Sequence, residues 1–352
     1  MLDVTACAWS RRTASACLVS AVCAVGCRNL TAPTQLCVDE ALLEDCRPAA
    51  EVEALLRDPR LEISASKPTP SGRQNARILT LVAARRPEPV RFRAKWRALS
   101  TSHGLNDPRK EVATHAVQKL FLDDRELVFP PTTGHCFELA GYRRAVSPEE
   151  QASLPGTACV YGTLSYWLEG AHATRDARLL GWLGARGLFD EKLFYDNATY
   201  RRTIADVNLL SHLVDHGDTH SGQFLLSGFR HRPHVYVVDT TIAFSAYRNP
   251  TLLPRDDWSS IQVPALSARS VARLRGLSRQ TVARLATIEQ YEIRNGQLVR
   301  SPITPPALRA DAGLRRVANV VQVGLTEREL DRLWGRIQGV LASVDRGKTR
   351  TF

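Results

Sequence analysis

The sequence is poor in lysine. Of its 47 basic residues six are Lys, at positions 67, 95, 110, 119, 192 and 348, and the other 41 are Arg. So strong a bias reflects coding composition, which weakens the net charge of +11 and the pI of about 9.5 as evidence for a nucleic-acid partner. The positive charge is spread along the chain instead of gathered in one tract, the pattern of a solvated surface. Cys-x-x-Cys pairs are missing, which argues against a zinc ribbon. Internal repeats and low-complexity tracts are absent too. Beyond residue 27 there is no apolar run of the roughly 20 residues that cross a bilayer. The expectation is a mature protein that is soluble or tethered by lipid.

What is present is ordinary for a globular protein: 352 residues, 44% hydrophobic and 24% charged, enough to bury a core without disulfide staples. Arg11 and Arg12 precede small and apolar residues from Ala14 to Val25, ending in Ala24-Val25-Gly26-Cys27. A basic region, a short apolar core and a small-residue end predict a signal peptide over 1–27. Its last four residues resemble a lipobox, which would make Cys27 the lipidated residue and the protein an exported, envelope-tethered or secreted one. A lipid anchor would be its sole membrane contact. Outside that region Cys37, Cys46, Cys136 and Cys159 form an even set, compatible with bridges 37–46 and 136–159, although spacing does not fix the connectivity.

Residues 28–50 read as a tether. From 51 to 168 strand patterns alternate with one good helix. Val90, Phe92, Ala94 and Trp96 alternate with Arg91, Arg93, Lys95 and Arg97, a period of two. Asp107 can cap and Pro108 suits the first turn of a helix carrying Glu111 at the margin of its apolar stripe. From 169 to 352 the pattern is mostly helical, with helices near 268–275, 279–289 and 326–344, the last opened by a Thr326-x-x-Glu329 capping box. Asn295-Gly296 between short β-like runs predicts a hairpin turn. The expected class is α+β in two lobes: a small β-rich N-lobe (51–168) with one helix and a larger helical C-lobe (169–352).

Within 203–244 an apolar helix runs into a polar loop containing Asp218, His220 and Gln223, then two short strands, then Asp239 at a strand end. Phosphoryl transfer needs such an arrangement: one carboxylate orients the attacking hydroxyl, and a second, with an amide side chain, holds metal ions on the phosphates. Asp218-x-His220-x-x-Gln223 followed by Val237-Val238-Asp239-x-x-Ile242-Ala243-Phe244 resembles the catalytic and metal-binding loops of the secretory-pathway (Golgi casein kinase) family and of the phosphatidylinositol 3-/4-kinase-like family. Residues 109–113, 119–121 and 128–132 are similar to the helix and following segment of the former. The resemblance covers about residues 75–250. It implies an atypical kinase-like fold using ATP with Mg²⁺ or Mn²⁺ to phosphorylate a hydroxyl acceptor. Asp218 would be the catalytic carboxylate, Lys95 the phosphate-holding cation and Glu111 its partner. Asp239 and Gln223 would be metal ligands, and His220 would support the loop from behind.

The chain departs from the families' pattern. Gln223 stands in place of Asn or an acid, Thr240-Thr241 in place of the glycine after the metal-binding Asp, and Arg93 in place of a small residue near adenine. No Gly-x-Gly loop is present, Gly72 being the candidate phosphate-covering turn. A catalytically inactive kinase-like envelope protein is therefore an alternative. His212, His216 and His220, spaced by four, offer a metal-dependent hydrolase as another. Residues 268–286 mimic a helix-turn-helix with Ser278, Arg279, Gln280 and Thr281 toward a groove, but a protein read as exported is not expected to meet nucleic acid.

Overall fold

The computed structural model describes residues 35–36 and 46–352, apart from 71–75, 85–87, 102–105, 175, 177–188, 228–232, 252–253, 255–256 and 304–308. The expected signal over 1–27, Cys27, Gly72, Cys37 and most of the tether lie outside the described residues. All described residues belong to one unit, Pro33–Phe352. The class is α+β, with several antiparallel sheets and helices packed on them.

After a short parallel pair, β1 (Gln35–Leu36) with β2 (Cys46–Arg47), helix α1 (Ala49–Leu56) leads into a five-stranded antiparallel sheet. Its strands are β3 (Glu62–Pro68), β4 (Arg77–Ala83), β5 (Val90–Ala98), β6 (Thr132–Glu138) and β7 (Cys159–Tyr166), in the order β3-β4-β5-β7-β6. The period of two in β5 has the predicted consequence. Phe92, Ala94 and Trp96 enter the main core, and Lys95 and Arg97 share the other face. Lys95 stands opposite Ile78 on β4 and Ser165 on β7. The Cys136–Cys159 disulfide ties the edge strand β6 to β7. Cys46 is also disulfide-bonded.

Helix α2 (Arg109–Gln118) packs on β6 and β7. Its start follows from the sequence: Asp107 Oδ1 accepts the Arg109 N–H at 3.2 Å, and Pro108 already has helical angles. Helix α3 (Leu139–Ala145) follows β6, and β8 (His172–Ala173) precedes α4 (Glu191–Asp196) and α5 (Ala198–Leu213). The Asn197 side chain caps α5 by accepting the Tyr200 N–H at 2.9 Å. Ile204, Ala205, Val207, Leu209, Leu210 and Leu213 are all fully enclosed, so α5 is apolar on most of its circumference and runs through the core. It delivers the chain to the loop that holds Asp218. Strands β9 (Phe224–Leu226) and β10 (Val235–Val237) then pair as an antiparallel hairpin.

The C-terminal region departs from the predicted helical lobe. After β11 (Ala265–Leu266) and α6 (Ala268–Arg275), helix α7 (Arg279–Ala283) stops well short of residue 289. Residues 289–323 form a four-stranded antiparallel sheet of β12 (Glu289–Arg294), β13 (Gln297–Arg300), β14 (Leu314–Val317) and β15 (Val320–Val323), in the order β13-β12-β15-β14. Asn295 and Gly296 turn the first hairpin with φ of 50° and 76°, as their sequence predicts. The β14–β15 turn places Ala318 at φ 52°, with no glycine to signal it.

This sheet packs on β6. The Glu289 carboxylate accepts Thr133 Oγ1 at 2.7 Å and the Gly134 N–H at 3.0 Å, and Arg300 donates to Glu289 at 3.0 Å. A Cβ on Gly134 would lie 2.3 Å from Tyr161 Oη, so the close approach needs glycine. Helix α8 (Glu327–Asp345), with the expected Thr326–Glu329 capping box, and β16 (Arg350–Thr351), paired with β11, complete the chain. Among the described residues no helix is long and apolar enough to cross a membrane.

The helix-turn-helix segment is used internally. Val271, Leu274 and Val282 are core residues. Ser278 caps α7 by accepting the Thr281 N–H at 3.0 Å, and Arg279 donates to the Leu330 carbonyl at 3.0 Å while pairing with Asp331.

Candidate active site

Lys95 is the centre of a constellation drawn from three distant segments. Its Nζ donates to Glu111 Oε1 at 2.7 Å and to Asp239 Oδ1 at 3.0 Å. The Glu111 side chain is 2% exposed and that of Lys95 13%, so the pair works in a weakly screened setting. The strand fixes Lys95 through its register, and α2 fixes Glu111 through its packing on β6 and β7.

The segment after β10 is anchored by its backbone. Val237 N–H donates to Val128 O at 2.8 Å, Val238 N–H to Gln223 O at 2.8 Å, and Asp107 N–H to Thr241 O at 2.9 Å. Thr240 Oγ1 donates to Thr114 Oγ1 at 2.8 Å. Thr240 through its hydroxyl and Thr241 through its carbonyl thus latch the segment to α2 and the loop before it. Between them and the strand, Asp239 sits at φ 60°, a strained angle for a residue with a side chain. Its carboxylate receives a second cation: Arg97 Nη2 donates to Oδ1 at 3.0 Å. Burial would raise the Asp239 pKa, but the Lys95 and Arg97 charges prevail and hold it well below the usual carboxylate range.

Asp218 lies in the loop after α5. Gln223 Nε2 donates to its Oδ2 at 3.1 Å and Asn249 Nδ2 to its Oδ1 at 2.7 Å. Gly217 beside it is needed for packing, since a Cβ there would meet the Tyr247 carbonyl oxygen at 1.8 Å. Gln223 is buried, and its Oε1 has no hydrogen-bond partner among the described residues. An enclosed amide oxygen without a donor costs about 1–3 kcal/mol, which a bound cation would relieve. The donor set fits a hard divalent ion: one amide oxygen and the Asp239 carboxylate, with phosphate and water left to fill the shell. Among the described residues no group of three or more His, Cys, Asp or Glu side chains could hold a metal unaided.

The three histidines go separate ways. His212 Nδ1 contacts the Ser259 carbonyl at 2.8 Å. His216 is fully enclosed, and burial lowers its pKa to about 4 against the pull of the Asp218 and Asp239 charges, so it is neutral at physiological pH. His220 is exposed, and its Nδ1 accepts the Gly222 N–H at 3.1 Å, which shapes the loop locally instead of supporting Asp218 from behind. A zinc site on one helix face does not form: α5 ends at Leu213, before His216, and among the described residues no group of three or more His, Cys, Asp or Glu side chains could hold a metal ion.

The sequence thus points to Lys95, Glu111 and Asp239, which meet, and to Asp218 and Gln223, which bond each other. It passes over Arg97 and Asn249. Arg97 shares the period-two face of Lys95, a signal that was available. Asn249 lies 31 residues from Asp218 and carries no local signal.

No protein-family model matches the chain, and no curated protein matches it. Among solved structures it is similar to the structure of hydra Fam20 with sugar, at 15% identity and a TM-score of 0.46, over 83% of this chain and 87% of that one.

Proposed function

We propose that the chain is a kinase-like phosphotransferase that moves the γ-phosphoryl group of ATP to a hydroxyl acceptor. The observation that carries this reading is the double engagement of Lys95 by Glu111 and Asp239, at 2.7 and 3.0 Å, from segments 16 and 144 residues away. A strand lysine, a helix glutamate and a strand-end aspartate in contact are the parts from which phosphoryl-transfer sites are made. The five-stranded sheet with α2 is read as the smaller lobe and the part built on α5 as the larger, with the site between them. Mg²⁺ or Mn²⁺ bound with the nucleotide would neutralise phosphate charge. Asp239 and Gln223 would hold the metal, and Lys95, steadied by Glu111, the phosphates. Asp218 would orient the acceptor hydroxyl and take its proton as the new P–O bond forms and the β–γ bridge breaks.

One observation favours a second reading, a nucleotide-binding protein without turnover. Both Asp218 oxygens already accept amide donors, from Gln223 and Asn249, so an acceptor hydroxyl would have to share an oxygen that is already hydrogen-bonded. Radiolabelled ATP turnover by the wild-type chain and by Asp218→Ala and Asp239→Ala separates the two. The kinase reading expects losses of at least about a hundredfold in both variants. Equal rates in all three proteins reject it, and nucleotide binding without turnover selects the second reading.

Export, with lipidation at Cys27, is part of the proposal. The Cys136–Cys159 bridge supports it, since disulfides persist in oxidising compartments. Fractionation of cells expressing wild-type and Cys27→Ala chains tests it; an unprocessed cytosolic chain in both cases contradicts it.

A further inference from the structure

Strand β5 carries a second cation two residues after Lys95 that the phosphoryl transfer outlined above does not require. Arg97 lies on the Lys95 face, and its guanidinium donates to Asp239 Oδ1 at 3.0 Å, the same oxygen that Lys95 reaches at 3.0 Å. The Arg97 side chain is 4% exposed. Its Nη1 donates to Asn106 Oδ1 at 3.3 Å, in the turn that opens α2. Held on two sides and enclosed, the guanidinium has little room to swing away. A divalent cation on Asp239 must therefore bind close to a fixed positive charge.

The charges make the consequence specific. Lys95 pairs with both Glu111 and Asp239, and Arg97 with Asp239, so the two cations together offset those two carboxylates and leave Asp218 as the one uncompensated carboxylate of the five residues. Kinase sites that use two divalent cations hold them with one Asp and one amide side chain, with no guanidinium on that Asp among the parts they require. We propose that Arg97 stands in for one of those two cations, so that the site holds its nucleoside triphosphate with a single Mg²⁺ or Mn²⁺. Arginine suits the task, because its charge can offset that of the phosphates from the place where Asp239 and Asn106 hold it. The inference rests on the kinase-like reading above and extends it to metal stoichiometry.

The test is direct counting of protein-bound Mn²⁺ by electron paramagnetic resonance, on the full chain saturated with adenylyl imidodiphosphate. The wild-type chain is expected to hold one Mn²⁺. Arg97→Gln, which removes the charge and keeps polar bulk, is expected to take up a second Mn²⁺ and, without nucleotide, to bind the first about tenfold more tightly. Arg97→Lys is expected to stay at one. A merely structural role for Arg97 predicts weaker Mn²⁺ and nucleotide binding in Arg97→Gln, the opposite direction, and that result overturns the proposal. Two Mn²⁺ on the nucleotide-bound wild-type chain overturn it as well, whether or not the glutamine variant folds. Failure of the wild-type chain to bind nucleotide at all overturns the kinase-like reading itself, and is distinguishable from both.

Discussion

Replacing Glu111 with Gln probes the centre of the site with the smallest change in shape. The Lys95–Glu111 contact is 2.7 Å long, between side chains 13% and 2% exposed. At an effective dielectric of about 20, two unit charges at that separation attract by roughly 6 kcal/mol before desolvation is counted. Removing one partner of a buried ion pair typically costs about 3–5 kcal/mol, because the remaining charge is stranded. Here the loss is smaller, since Lys95 keeps Asp239 at 3.0 Å and the glutamine oxygen still accepts a hydrogen bond. The expected destabilisation is about 2 kcal/mol, or a fall in Tm of about 4 °C for a domain of this size. Nucleotide affinity should fall in parallel, because Lys95 is then drawn wholly toward Asp239. Urea denaturation gives the stability term, and calorimetric titration with an ATP analogue gives the binding term. A double-mutant cycle with Lys95→Met isolates the pair, and the coupling should be at least about 1 kcal/mol. Strict additivity, or a Glu111→Gln chain as stable and as tight-binding as wild type, would refute the claim that this pair organises the site.

Two further outcomes concern the scaffold. Asp206 on α5 is buried, accepts a hydrogen bond from Ser270 Oγ at 2.6 Å, and is pushed up to about 7 by burial, the hydroxyl only partly offsetting this. The folded state therefore keeps a proton that the unfolded chain releases near pH 4. Stability falls as pH rises from about 4 to 7, and the full cost stands above 7. Asp206→Asn should be more stable than wild type at pH 8, by an amount on the order of 2 kcal/mol, and no more stable at pH 4; a pH-independent difference in urea midpoints would contradict this. Reducing Cys136–Cys159, or replacing both residues with Ser, frees a loop spanning a sequence separation of 23. On the chain-entropy account this should cost about 3 kcal/mol, visible as a lower Tm in reductant.

Much of the fold was legible because local signals and packing agree. The alternation in β5, the Asp107-Pro108 start of α2, the Asn295-Gly296 turn and the Thr326–Glu329 box each encode an element through backbone chemistry a few residues long. The β14–β15 hairpin was not legible. Its turn uses Ala318 at positive φ, where the surrounding sheet imposes what residue type does not announce. The predicted continuation of α7 to residue 289 failed for a related reason. From Glu289 the chain is claimed by β15 and by contacts to Thr133 and Gly134, more than 150 residues away in sequence.

The site shows the same division more sharply. Lys95, Glu111, Asp218 and Asp239 were marked by a resemblance of motifs, and each sits at an element end or on a patterned face. Their strengths as acids, bases and ligands are set elsewhere. Asp239 is kept ionised by Lys95 and, after it, by Arg97, which the same period of two places beside Lys95 but which reads there as one more arginine in an Arg-rich chain. Asp218 is held by Asn249, which reaches it because Gly217 lets the 247–249 backbone pass within contact. Replacing Asn249 would free Asp218 Oδ1 of its amide donor without touching the recognisable motif. In this chain the motif residues define where the chemistry could occur, whereas neighbours without a motif decide whether the Asp218 oxygens are open to an acceptor hydroxyl, and Asp239 free enough of cations, for it to proceed.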